Sequence, residues 1–142
     1  MWRKPGQQLS LTVAGSTQPL TYELMHMHCV QESFGAEPAV GLAMNRIQKV
    51  IRRCLRPETP GLSAFADLDQ RSTGLEEWLR QTGVTRIILT GTPLETLVYQ
   101  TALAAVQLGL HTSLLRDGCR AHSPEQQHQW FDRLQTMGVQ IL

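Results

Sequence analysis

From residue 72 onward, hydrophobic and polar positions fall into a regular order. The stretch "STGLEEWLRQTG" (72–83) places Leu75, Trp78 and Leu79 on one helical face and ends at Gly83, a left-handed stop signal. "VTRIILTG" (84–91) is an apolar run of strand length closed by glycine, which predicts a buried strand. "PLETLVYQTALAAVQLG" (93–109) returns to helical spacing, with Leu97, Thr101, Ala105 and Leu108 forming an inward stripe. "LHTSLLRDG" (110–118) predicts a further strand. "SPEQQHQWFDRLQTMG" (123–138) predicts a helix with Ser123 at the cap, Pro124 at the first helical position and Gly138 past the end. "VQIL" closes the chain as a short strand. Helix, strand, helix, strand, helix, strand in this order implies parallel crossovers and a doubly wound α/β layer architecture.

The first half is less regular. "LSLTV" (9–13) and "LTYELM" (20–25) alternate enough for short strands, with the turn cluster "AGSTQP" between them. Gly35, Pro38 and Gly41 interrupt any long element over 26–46. "IQKVIRR" (47–53) is rich in β-branched residues and reads as a strand rather than a helix end. "RPETPGLSAFADLDQ" (56–70) is a loop.

Composition narrows the function classes. The 142 residues fit one domain, with 42% hydrophobic content and 18% charged. Thirteen Lys plus Arg against twelve Asp plus Glu leave a net charge of +1, which gives no electrostatic case for nucleic acid. No apolar run approaches the ~20 residues of a membrane span. The opening "MWRKPGQQ" lacks the apolar stretch of a secretory signal. Cys29, Cys54 and Cys119 are odd in number and widely spaced, which fits reduced thiols in an intracellular compartment, the cytosol or an organelle matrix such as the mitochondrion.

Several residues carry chemistry worth following. Thr92-x-x-Glu95 forms a capping-box pattern with Pro93 at the first helical position. The Thr92–Pro93 bond is also one that tolerates cis, and the two arrangements compete. His26 and His28 would share one face of a strand, either as a metal pair or as a polar strand edge. His111, His122 and His128 read as surface or helix-end histidines. The three cysteines sit at no predicted helix start, so they read as buried, inert thiols. Arg52, Arg53 and Arg56 form a basic cluster, read as a solvated face. Trp78, Trp130 and Phe131 pack helices onto the sheet.

Taken together, these segments resemble the isochorismatase-like cysteine hydrolases, in particular the nicotinamidase branch. "HCVQESFGAE" (28–37) is similar to the stretch before that family's third strand, and "LSAF" (62–65) to its Tyr-Ser-Ala-Phe segment. "GTPLETLVYQTAL" is similar to its nucleophile elbow, Gly-x-Ala-x-x-x-Cys-Val-x-x-Thr-Ala, with Gly91, Val98, Thr101 and Ala102 matching. The resemblance covers residues 28–142 in order and leaves 1–27 as a divergent segment of the same single domain. It implies a three-layer, doubly wound, mostly parallel sheet whose N-terminal side is shortened or remodelled.

Members of that family deaminate nicotinamide or cleave related amides and enol ethers. The resemblance implies a Cys nucleophile, an Asp base, a Lys partner and an oxyanion hole of backbone N–H groups, with an Asp/His metal site in nicotinamidases. Here the nucleophile position holds Leu97, and the oxyanion-donor Ala corresponds to Pro93, which has no N–H. The Lys position falls at Arg53, with Lys49 as the weaker alternative. No Asp lies in residues 1–27 to serve as base or ligand, so the only weak metal candidates are His26 and His28. No cofactor is expected. Six residues between the first two predicted strands are too few for a parallel crossover. Those strands either form a hairpin or leave a gap that another chain fills. The expectation is a catalytically inactive relative kept for binding or as a structural subunit, with a protein partner or a second copy. The alternative is an amidase-type hydrolase with a non-standard or partner-completed site.

Overall fold

A computed structural model of the chain describes residues 4–11, 20–24, 26–54 and 61–142. Two compact units divide it, Met1–Val50 and Ile51–Leu142.

In the first unit, β1 (Gln8–Leu11) and β2 (Leu20–Glu23) pair antiparallel, with Gln8 opposite Glu23 and Leu11 opposite Leu20. The two predicted strands therefore make a hairpin, the arrangement their close spacing allows. Its turn cluster lies outside the described residues. Downstream come two single 3₁₀ turns, Phe34–Ala36 and Met44–Arg46. None of the described side chains in this unit is buried.

The strand expected over 47–53 does not form. Ile47 terminates the second 3₁₀ turn, and the chain leads without regular structure into Arg53 and Cys54. There the polar groups bond to a loop instead of a ladder: the Arg53 guanidinium donates to the Gly61 carbonyl, and the Cys54 N–H to Asp67 Oδ1 at 3.1 Å.

The second unit follows the predicted alternation closely: α1 (Leu75–Gln81), β3 (Arg86–Gly91), α2 (Tyr99–Gln107), β4 (His111–Cys119), α3 (Pro124–Thr136) and β5 (Gln140–Ile141). The strands form one parallel sheet in the order β3-β4-β5. Helices cover one face. Leu94, Val98 and Ala102, Leu114 and Cys119 of β4, Phe131 and Leu134 of α3, and Val139 make the larger core, with Leu89 and Ile141 packed on it. Phe65, Leu79 and Ala105 make a smaller one with Leu75, Trp78 and Ile87. Burying each of the large side chains removes it from water at a gain of about 1.5–3 kcal/mol.

One strand differs from expectation. β3 is not buried on both faces: Ile87 and Leu89 are half-buried beneath the helices, whereas Arg86, Ile88 and Thr90 are exposed. Its apolar composition suits a strand covered twice, but the described helices cover it once. No helix among the described residues is long and apolar enough to cross a membrane.

Candidate functional site

The junction from β3 to α2 lies at the carboxyl end of a parallel strand, where ligands of open α/β sheets bind. Gly91 takes φ +142°, a conformation that favours glycine. The Thr92–Pro93 bond is cis. The chain then enters α2 through a wide π turn, Leu94–Val98, with the Val98 N–H reaching the Pro93 carbonyl at 3.3 Å. Such turns recur at functional sites in helices. Leu94 and Val98 point into the core, whereas Leu97 is half-buried and lies outside both core clusters.

The capping box does not form. No side chain caps this helix start, and Glu95 turns to the β4–α3 loop instead. Its Oε1 accepts the His122 backbone N–H at 3.0 Å and lies 2.6 Å from His122 Nδ1. Burial alone would raise the Glu95 carboxyl, but hydrogen bonds from its own N–H and from His122 hold it below its ordinary value. Oε2 is buried, with no hydrogen-bond partner among the described residues. Two backbone bonds join the same segments: Leu94 N–H to the Arg120 carbonyl at 2.8 Å, and Arg120 N–H to the Gly91 carbonyl at 3.3 Å. His122 is exposed, in keeping with its reading as a surface histidine, and it is paired with Glu95. No local pattern pointed to a partner 27 residues away.

Below the elbow, Thr101 fixes the loop that carries "LSAF". Its Oγ1 accepts the Ala64 N–H at 3.0 Å, and Thr73 Oγ1 donates to the Ala64 carbonyl at 2.6 Å. The same loop holds Arg53 through Gly61, so the residue at the Lys position is engaged with backbone. Arg52 is exposed, as a solvated face requires, and Arg56 lies outside the described residues. Lys49 is also exposed.

The thiols divide. Cys119 is buried, and burial pushes its pKa up, which makes it inert as expected. Cys29 and Cys54 are exposed, contrary to expectation. They lie in irregular segments with positive φ. Cys54 Sγ accepts the Gly61 N–H at 3.0 Å. Gly61 itself leaves no room for a side chain, since a Cβ there would sit 2.5 Å from Asp67 Oδ1 and 2.8 Å from the sulfur.

His26 and His28 share no strand, because β2 ends at Glu23. The His28 ring lies 2.6 Å from the His26 carbonyl, a local bond that competes with extended pairing. Among the described residues no group of three His, Cys, Asp or Glu side chains could hold a metal ion. The described residues do not fit the metal site the resemblance implies.

A parallel sheet covered by helices, with a turn at a strand's carboxyl end leading into a helix, defines an open α/β architecture. The isochorismatase domain model matches residues 17–142, and the chain belongs to that family. It is 36% identical over 94 residues to the nicotinamidase of Escherichia coli strain K12, a match spanning 66% of this chain and 44% of that protein. It is 32% identical over 116 residues to the nicotinamidase of Acinetobacter baylyi, spanning 80% of this chain and 54% of that one. Among solved structures, PnC1 from L. infantum in complex with nicotinate superimposes with a TM-score of 0.77 at 33% identity, covering 81% of this chain and 58% of that chain. An Acinetobacter baumanii nicotinamidase superimposes with a TM-score of 0.83 at 25% identity over 99% of this chain and 66% of that chain. The chain thus spans about half the length of the curated nicotinamidases it matches.

Proposed function

We propose that this protein is a catalytically inactive member of the nicotinamidase branch, kept as a binding or structural subunit. The observation that carries the reading is Leu97, at the position where the family pattern has its nucleophilic cysteine. A hydrocarbon side chain forms no acyl intermediate at any pH. Pro93 adds a second loss, because it has no N–H to donate to an oxyanion; removing one such donor elsewhere costs on the order of 10²–10³ in rate. Arg53, at the Lys position, donates to the Gly61 carbonyl, and a guanidinium does not serve as a proton shuttle.

One observation favours a second reading, an amidase-type hydrolase with a relocated nucleophile. Cys54 is exposed, and its sulfur accepts the Gly61 N–H at 3.0 Å, which fixes a thiol at the surface of the loop that carries "LSAF". Hydrolysis of an amide panel by the purified chain, by Leu97→Arg and by Cys54→Ser separates the two. The inactive reading predicts no turnover by any of the three. Turnover lost in Cys54→Ser would establish the second reading, and turnover lost only in Leu97→Arg would show that the elbow still works by another route.

A further inference from the structure

One stretch departs from its irregular neighbours in the first half of the chain. Set on a helix at about 100° per residue, Met44, Ile47, Val50 and Ile51 fall within an arc of about 120°. Arg46, Lys49 and Arg52 fill an arc of about the same width on the opposite side, with Gln48 on the boundary. As a strand the same residues would mix on both faces, Ile47 with Lys49 and Ile51 on one, Val50 with Arg52 on the other. Between Glu37 and Glu58 every charged residue is a cation. The structure holds the start of such a helix. The 3₁₀ turn Met44–Arg46 supplies one turn, closed by the Ile47 N–H on the Met44 carbonyl at 3.1 Å, and the backbone is irregular from there to Cys54. Met44 is 38% exposed, Ile47 40% and Val50 52%. Arg46, Lys49 and Arg52 are exposed too, and none of them pairs with an acid among the described residues. Apolar side chains therefore stand in water beside unpaired cations, on a sequence that separates the two only when helical.

We infer that residues 44–52 dock on an anionic lipid surface, where they complete a helix lying in the plane of the interface. The apolar arc enters the acyl boundary, and the cations stay among the headgroup phosphates. The two arcs together select the partner. A nucleic-acid backbone pairs with the cations but leaves the apolar arc in water. An apolar protein groove takes the apolar arc but gives the cations no counter-charge. An anionic bilayer surface supplies both layers in the required order. A helix of this length is marginal in water, so the segment stays irregular until an interface stabilises it. Its far end is already fastened, because Arg53 donates to the Gly61 carbonyl and the Cys54 N–H to Asp67. This docking goes beyond the proposed function and is independent of whether the site at Leu97 turns over.

The test is co-sedimentation of the full chain with vesicles of phosphatidylcholine alone and of phosphatidylcholine with an equal part of phosphatidylglycerol, at low and high salt. The expected result is binding to the anionic vesicles only, lost at high salt. Helical signal in circular dichroism should rise on binding, and the amides of 47–52 should gain protection from hydrogen exchange. Arg46→Gln and Lys49→Gln should each weaken binding about fivefold. Ile47→Glu and Val50→Glu should each weaken it about 10–100-fold. All four side chains are exposed, so thermal melts without vesicles should match those of the parent chain. Amides of 47–52 already protected without vesicles would overturn the proposal, because the segment is then covered within the chain. Equal binding to both kinds of vesicle would overturn it as adsorption without charge recognition. Binding that falls with the cation changes but survives Ile47→Glu and Val50→Glu would overturn the choice of a lipid surface in favour of a polyanion, and a DNA duplex that displaces the vesicles would show the same. Absence of binding to anionic vesicles at low salt would end the proposal outright.

Discussion

The two units spend similar apolar residues to opposite effect. Residues 26–50 carry Met27, Phe34, Val40 and Val50, all exposed, with glycines and a proline between them and no period that would gather them on one side. Residues 84–141 carry comparable side chains at strand and helix spacing, and the crossovers bring them together until Leu94, Leu114 and Leu134 lose all contact with water. Apolar content alone does not make a core; periodicity joined to parallel connection does.

That contrast has measurable consequences. Phe131→Ala should cost about 3–5 kcal/mol in a denaturant titration, because the ring is 1% exposed and packs against α2 and β4. Phe34→Ala should stay within about 0.5 kcal/mol. Equal costs would erase the distinction between the units. A smaller effect is expected from Gly61→Ala. Its methyl would meet Asp67 Oδ1 and Cys54 Sγ at contact distances no side chain tolerates, so these side chains must move, at about 1–3 kcal/mol. Unchanged stability would mean that the loop is not held as described.

The Glu95–His122 link should show in the acid range. The Glu95 carboxyl is held below its ordinary value of 4.5, so its contribution is complete above that pH and is lost as pH falls through the lower folded value. Thermal melts of wild type and Glu95→Gln should differ by about 1 kcal/mol near neutrality and converge in acid. Curves that stay parallel down to pH 2 would remove the link from the account. The smallest effect belongs to Glu76 and Arg80 on α1, an exposed pair 2.8 Å apart. Glu76→Ala should cost about 0.3–0.5 kcal/mol, and high salt should abolish the difference.

Much of the second unit was legible because its signals are local. Gly83, Gly109 and Gly138 all close elements with positive φ, and Leu75, Trp78 and Leu79 face one core as their spacing implied. What sequence alone concealed was long-range or depended on absent cover. Glu95 looks like a capping residue until His122 arrives from the next crossover. β3 reads as doubly buried because Ile87, Ile88 and Leu89 are apolar in succession, whereas the described helices shield only alternate ones. Arg53 and Cys54 sit in a run of strand-forming residues, and their bonds to Gly61 and Asp67 keep them out of a ladder. At the elbow, Leu97 and Pro93 were identified through the family pattern and not through local chemistry. Taken by itself, "GTPLETLV" is an unremarkable helix start.

The central claim is that the elbow persists without its reaction. The most direct measurement is a long time course of nicotinate formation from nicotinamide, with concentrated chain alongside a trace of E. coli nicotinamidase in the same buffer. The account predicts no nicotinate above the uncatalysed background from this chain while the reference enzyme converts its substrate. Sustained turnover that scales with chain concentration and survives in Cys54→Ser would contradict it.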